Sequence, residues 1–312
     1  MRFLPLFLLI SSCAAGEVEY RQGDGQIEVL VDGAEFTTFY YGPKTPKPYL
    51  HPVRAHDGAI VTRGYPMETD LATESHDHPH HRGLWFTHGN VNGYDFWANE
   101  LDNTERKHQG KVILKDGPTI RAGAIEASFS WLSPAGDPVV SETRTMGFGS
   151  MGDVRYIDVD ATLEAASETV KFGDTKEGTF AIRVAGTMRE KPRDKPGDGV
   201  IVNAGGAKGE AATWGKPSPW VDYSGPVDGR EYGVAILDHP DNPGHPTHWH
   251  VRAYGLFAAN IFGEHDYYAD PKRDASVTLK AGESMRFRYR VLIHPGDAED
   301  AKVGKLYKDW AH

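Results

Sequence analysis

The chain has 312 residues, a formal charge of −10 and 39% hydrophobic content, enough to bury a large core. No run of five or more basic residues occurs, so a nucleic-acid role is excluded on charge, because phosphate binding needs clustered Lys and Arg. Gly (35) and Pro (20) punctuate short alternating segments, as expected of strands joined by turns.

The amino terminus, MRFLPLFLLISSCAAG, places one Arg before an apolar run and then small residues, the pattern of a secretory signal over residues 1–15. Ile10-Ser11-Ser12-Cys13 has the form of a bacterial lipoprotein signal, and an ordinary signal peptide cut near Ala15 is the alternative. The expectation is an exported protein, periplasmic or in the outer membrane, touching membrane only through a lipid anchor at Cys13. Cys13 is the single cysteine, so the mature chain has no internal disulfide and no cysteine nucleophile.

Residues 16–312 read as one domain. Gln26–Gly42 predicts a hairpin about Asp32-Gly33, and Tyr49–Gly64 two further strands about Asp57-Gly58. The His-rich segment Ser75–Gly83 predicts a long loop broken by Pro79 and Gly83, and LWFTHG returns the chain to a sheet. Ile125, Ala127, Phe129 and Trp131 alternate with polar residues, as do Val154–Ala165 and Phe287–Ile293, marking strands with one buried face. TFAIRVAG and VIVNAGG predict strands flanking a charged loop over Arg189–Asp198, and Trp220–Pro240 a hairpin about Asp228-Gly229. Only the terminal KVGKLYKDWAH suggests a helix. The predicted fold class is all-β, a large antiparallel β-sandwich with alternate residues buried between two sheets.

Two segments concentrate the chemistry. Five of the 15 histidines fall between His76 and His88, and Asp238–Arg252 repeats His, Asp, Pro and Trp far downstream. Two walls of one site is the simplest reading. His78 and His80 are spaced i, i+2, which in extended backbone puts both rings on one side, and His248 and His250 repeat the spacing. His78, His80 and His248 are therefore candidate ligands for one divalent metal: Zn, Ca or Cu. The alternative is that these histidines bond loop backbone or line a cleft without metal.

Acid–base work needs histidines and carboxylates near one cleft. His81 and His250 are the candidate proton-transfer groups, with Glu177 or Asp222 as partner carboxylate. Trp97, Trp220 and Tyr223 offer aromatic faces suited to the C–H faces of sugars, and His51, Asn92, Arg183 and Arg252 are candidates to orient hydroxyls. A Gly-x-Ser-x-Gly elbow, a phosphate-binding loop and a dinucleotide fingerprint are all missing from the sequence.

KPYLHPVR (47–54), DHPHHRGLWF (77–86), VNGYDFW (91–97), WVDYSG (220–225) and HWHVRAYGLFAANIFG (248–263) together resemble the exported bacterial family labelled PmoA-like. That resemblance implies a β-supersandwich similar to those of aldose epimerases and polysaccharide lyases, in bacteria that degrade complex glycans. The functional expectation is a carbohydrate-active enzyme, of glycoside hydrolase or lyase type, that cleaves or isomerises a glycan-derived sugar, with an oligo- or polysaccharide as partner. Its alternatives are a surface glycan-binding lipoprotein and a copper-dependent oxidase.

Overall fold

A computed structural model describes residues 16–71, 74–100, 107–166, 168–191 and 197–312. The predicted signal segment, Cys13 included, lies outside the described residues, as does part of the charged loop over 189–198.

In chain order the strands are β1 (Val18–Gly23), β2 (Gln26–Val31), β3 (Ala34–Tyr40), β4 (Tyr49–Leu50), β5 (Leu84–His88), β6 (Lys111–Arg121), β7 (Ala124–Leu132), β8 (Pro138–Met151) and β9 (Val154–Ala165). They continue with β10 (Val170–Phe172), β11 (Gly178–Arg183), β12 (Val200–Asn203), β13 (Trp220–Val227), β14 (Arg230–Asp238), β15 (Trp249–Val251), β16 (Leu256–Ala259), β17 (Val277–Leu279) and β18 (Ser284–Pro295). Two eight-stranded antiparallel sheets form a sandwich, as expected. The first runs β1-β2-β3-β4-β5-β11-β16-β15 and the second β12-β13-β14-β18-β9-β8-β7-β6, while β10 and β17 make a small flanking pair.

The alternating segments bury the faces the sequence predicts. In β7, Ile125, Ala127, Phe129 and Trp131 face the core, where they join Phe86, Phe180, Phe257 and Phe287 from both sheets. The carboxyl end forms a helix, α1 (Val303–Ala311), which lays Val303 over Ala235, Leu237 and Leu292 on the outer side of the second sheet.

Two expectations need correction. Tyr49–Gly64 does turn back about Asp57-Gly58, with Ala55 N–H bonding the Ala59 carbonyl (2.8 Å) and Val61 N–H the Val53 carbonyl (3.0 Å). Its arms, however, are isolated bridges, Arg54 to Ile60 and Thr62 to Val184, and the segment's one regular strand is the two-residue β4. Strand β6 was not expected. Gly117-Pro118 interrupts its alternation, and the strand accommodates the break by two register shifts against β7.

Candidate functional site

The outer face of the first sheet carries the densest polar chemistry. Across β4, β5, β11, β16 and β15 the register aligns Tyr49, Trp85, Ala181, Ala258 and His250 in one cross-strand row. Side chains alternate in a strand, so all five project from the same face. Two adjacent alanines, both fully buried, stand in the middle of this row between Trp85 on one side and His250 on the other.

The His-rich loop crosses this face, and one buried residue holds it there. Arg63 donates from Nη1 to the carbonyls of Ser75 (3.3 Å) and Asp77 (2.9 Å) and to Asp77 Oδ1 (2.8 Å). Its Nη2 donates to the carbonyls of His78 (2.8 Å) and His81 (3.3 Å). A guanidinium is suited to this task because its donors fan out in a fixed plane. Gly83 ends the loop with φ +53°, and a Cβ there would lie 2.1 Å from the Leu50 carbonyl. Only glycine lets the chain turn so close to β4.

Arg183, at the end of β11, ties the loop to the sheet. Its Nη2 donates to Asp77 Oδ1 (3.1 Å) and its Nη1 to His81 Nδ1 (2.9 Å). The guanidinium cannot accept a hydrogen bond, so His81 Nδ1 carries the lone pair and Nε2 carries the proton. Burial, then the His80 and Arg183 charges, hold His81 well below the usual histidine range, so the ring is neutral. Burial works against the charge of Asp77, yet a hydrogen bond from His78 and the two guanidiniums keep it well below the usual carboxylate range.

His250 is fixed in the opposite tautomer. Nδ1 donates to the Lys176 carbonyl (2.7 Å), leaving Nε2 with its lone pair, and burial lowers the ring to about 4. That carbonyl belongs to the peptide joining Lys176 to Glu177, so His250 anchors the backbone immediately before Glu177. Burial pushes the Glu177 carboxyl up from 4.5, with Lys176 pulling the other way and Asp95 adding to the rise. His78 stacks on Tyr254 at one end of the face, and the charges of His78 and Glu177 are felt by Glu177 and Tyr254 respectively.

Aromatic rings close the site. Trp85 packs on Trp97 (5.0 Å between centroids), and His81 stacks on Trp85 (5.3 Å). His78 lies on both His81 (4.8 Å) and Tyr254 (5.5 Å), and the Arg183 guanidinium sits 4.6 Å from the Tyr254 ring. The buried Nε1 of Trp85, Nε1 of Trp97 and Nε2 of His81 have no hydrogen-bond partner within the protein. Buried donors left unpaired are uncommon, and here three of them come from rings in mutual contact.

His81 thus contacts Arg183 and Trp97, His250 stands in the same cross-strand row and bonds the carbonyl before Glu177, and Arg252 lies at the margin, where it pairs with Glu210 (2.8 Å). Trp97 is fully buried and offers no open face. The other expectations are corrected. Asp222 lies on the opposite sheet, where its Oδ2 accepts from His294 Nε2 (2.7 Å). Tyr223 is a core residue whose hydroxyl bonds the backbone of Glu190 and Ala253, and Trp220 packs at the outer side of the second sheet. Asn92 holds the backbone of Lys171 (2.7 Å) and Thr169 (3.3 Å) on a different flank. His51 bonds Thr62 Oγ1 (3.3 Å) beneath the sheet margin, and burial followed by the Arg54 charge lowers it to about 4.

The predicted metal set does not assemble. His248 stands on the same face as His250 but stacks on Tyr267 and meets the Tyr268 hydroxyl (3.2 Å), while His78 and His80 pack edge to face. Among the described residues no group of three His, Cys, Asp or Glu side chains is arranged to hold a metal ion. Part of the second His segment is scaffold: Asp238 accepts from Asn242, His245 and the Thr247 backbone, and Trp249 is core.

Sequence reasoning missed Arg63, Glu210 and Tyr254. Arg63 and Glu210 carry no local signal, since their roles come from contacts made across the fold. Tyr254 could have been found, standing four residues after His250 in the same segment.

Residues 26–308 match a family of unknown function, DUF6807. The chain belongs to that family. The match carries no link to the PmoA-like label. A comparison with curated proteins finds no match. Among solved structures, the chain is similar to the GH36 α-galactosidase AgaB of Geobacillus stearothermophilus at 10% identity and a TM-score of 0.42, covering 90% of this chain and 41% of that one. It is also similar to a candidate aldose 1-epimerase of Escherichia coli K12 (12% identity, TM-score 0.37, 90% and 100% covered). A galactose mutarotase related enzyme of Lactobacillus acidophilus matches at 8% identity and a TM-score of 0.30, with 89% and 97% covered. The chain spans less than half the length of the α-galactosidase, and the activities of these proteins belong to them.

Proposed function

We propose that this DUF6807 protein is an exported carbohydrate-active enzyme whose acid–base site is the outer face of the first sheet. Its reaction is proton transfer at the oxygens of a sugar's anomeric carbon, the step shared by isomerisation and glycoside cleavage. The observation that carries the reading is the pair of buried histidines fixed in complementary tautomers on this face, His250 by the carbonyl that precedes Glu177 and His81 by Arg183.

Glu177, its carboxyl pushed up by burial, is the base. A base is most effective when its pKa approaches the working pH, and burial moves Glu177 that way. His81 Nε2–H donates a hydrogen bond to the oxygen on which charge develops, and Arg183 holds that tautomer in place. A neutral imidazole fixed as donor polarises an oxygen without gaining or losing a full charge. His250 Nε2 accepts from a neighbouring hydroxyl. Asp77 and Tyr254 supply further acceptor and donor groups, the mixture that a polyhydroxylated ring requires. The three metal candidates do not converge, so no step is routed through a metal.

The test is turnover by the purified protein on a panel of reducing monosaccharides, followed by polarimetry, and of chromogenic glycosides. At least one member is turned over, and His250→Ala lowers that rate by about 10²-fold. No turnover of any member, or an unchanged rate in His250→Ala, overturns the reading.

A further inference from the structure

A cavity of about 460 Å³ opens on the outer side of the other sheet, beneath the segment leading into α1. Val202 of β12 and Trp220 and Ser224 of β13 line it from the sheet, and Ala298 and Gly304 line it from above. Its size falls within the range of small-ligand sites.

Two features point to an occupant. Ser224 is fully buried, lines the cavity, and its Oγ has no hydrogen-bond partner in the protein. Asp222, two residues earlier on the same face, is also fully buried, and its Oδ1 is unpartnered although Oδ2 accepts from His294. Buried polar atoms are nearly always satisfied, so a polar occupant reaching Ser224 accounts for what the protein leaves unpaired. The second feature is chemical. The half-buried indole of Trp220 supplies a flat apolar surface, while Lys208, Lys302 and Lys305 alternate with Asp297 and Glu299 around the rim. Donors and acceptors of both signs, with little net charge, suit hydroxyl groups, which donate and accept, better than they suit an ion.

We infer that this cavity is a saccharide-binding site, separate from the acid–base face, that takes a neutral pyranose ring with its C–H face on Trp220 and a hydroxyl on Ser224. The site holds a sugar and does no chemistry on it. The inference stands on the cavity's own lining and does not depend on the reaction assigned to Glu177.

Saturation-transfer NMR with the methyl β-pyranosides of glucose, galactose, xylose and mannose tests it on the Glu177→Gln protein. Saturable binding of at least one pyranoside is expected. Trp220→Ala, made in the same background, weakens it at least tenfold. Gly304→Leu provides a second variant that keeps every sheet residue, because a Cβ at this helical glycine points to within 3.7 Å of Trp220 and the longer side chain fills the space. It abolishes the same binding, and in the Glu177 protein it leaves turnover of a small substrate unchanged. Absence of binding by all four pyranosides, or binding untouched by both Trp220→Ala and Gly304→Leu, overturns the inference.

Discussion

Which nitrogen of each site histidine carries the proton is set by neighbours that can play only one role. Arg183 can only donate, so His81 presents Nε2–H; the Lys176 carbonyl can only accept, so His250 presents a lone pair. With Glu177 acting as base, activity is lost as pH falls and the carboxylate protonates. Because burial raises Glu177, that loss is centred above the ordinary value of 4.5. A pH profile of kcat/KM is therefore expected to show an acid limb above 4.5, followed lower down by protonation of His250 near 4. A profile flat down to pH 4 would remove Glu177 from the role.

Arg63 illustrates how a loop without regular structure can be held rigid. Its five donated bonds, to Ser75, Asp77, His78 and His81, replace the ladder that a strand would supply. Arg63→Lys keeps a charge but cannot fan its donors over four carbonyls. We expect a stability loss of about 2–3 kcal/mol in urea unfolding, with turnover reduced more than substrate binding. Unchanged stability and turnover would show that the loop is held by other contacts. At this scale the sequence was legible wherever alternation was unbroken, as in β7, β9 and β18. It was also legible at the loop itself, because Pro79 and Gly83 can only mark a break. What it concealed was which face each strand turns outward and which strands are neighbours. Asp222 and Tyr223 look like site residues beside Trp220, yet the register of β13 sends Tyr223 into the core and Asp222 out through the far side of the sandwich. Gly233 completes that outer pair. A Cβ there would lie 2.1 Å from His294 Cε1, so only glycine lets the ring lie over β14 to reach Asp222.

Across the whole molecule the buried histidines fix how stability varies with acid. His51, His88 and His250 are all lowered to about 4 by burial. Between their unfolded value near 6.5 and about 4, the unfolded chain takes up protons that the folded one refuses, so stability falls with falling pH. Each contributes a loss of up to about 3 kcal/mol, complete below pH 4. His294 has the opposite sign. Burial lowers it, but the Asp222 charge and hydrogen bond prevail and raise it above 6.5. Its contribution is complete below 6.5 and is lost as pH rises through the folded value. His51, His88 and His250, with His81 lowered in the same sense, outweigh His294, so the urea midpoint is expected to drop steeply from pH 6.5 to 4. A midpoint constant over that window would contradict the burial of these rings.

The paired substitutions Glu177→Gln and Asp222→Asn decide most directly whether the chemistry belongs to the first sheet. Turnover on the substrate found by the panel is expected to fall by about 10²–10⁴-fold in Glu177→Gln, with folding intact. Asp222→Asn is expected to keep its turnover while losing about 3–5 kcal/mol of stability, because the buried His294 ring loses the carboxylate it pairs with. The reverse pattern, an active Glu177→Gln protein beside a folded but inactive Asp222→Asn protein, would move the reaction to the other side of the sandwich.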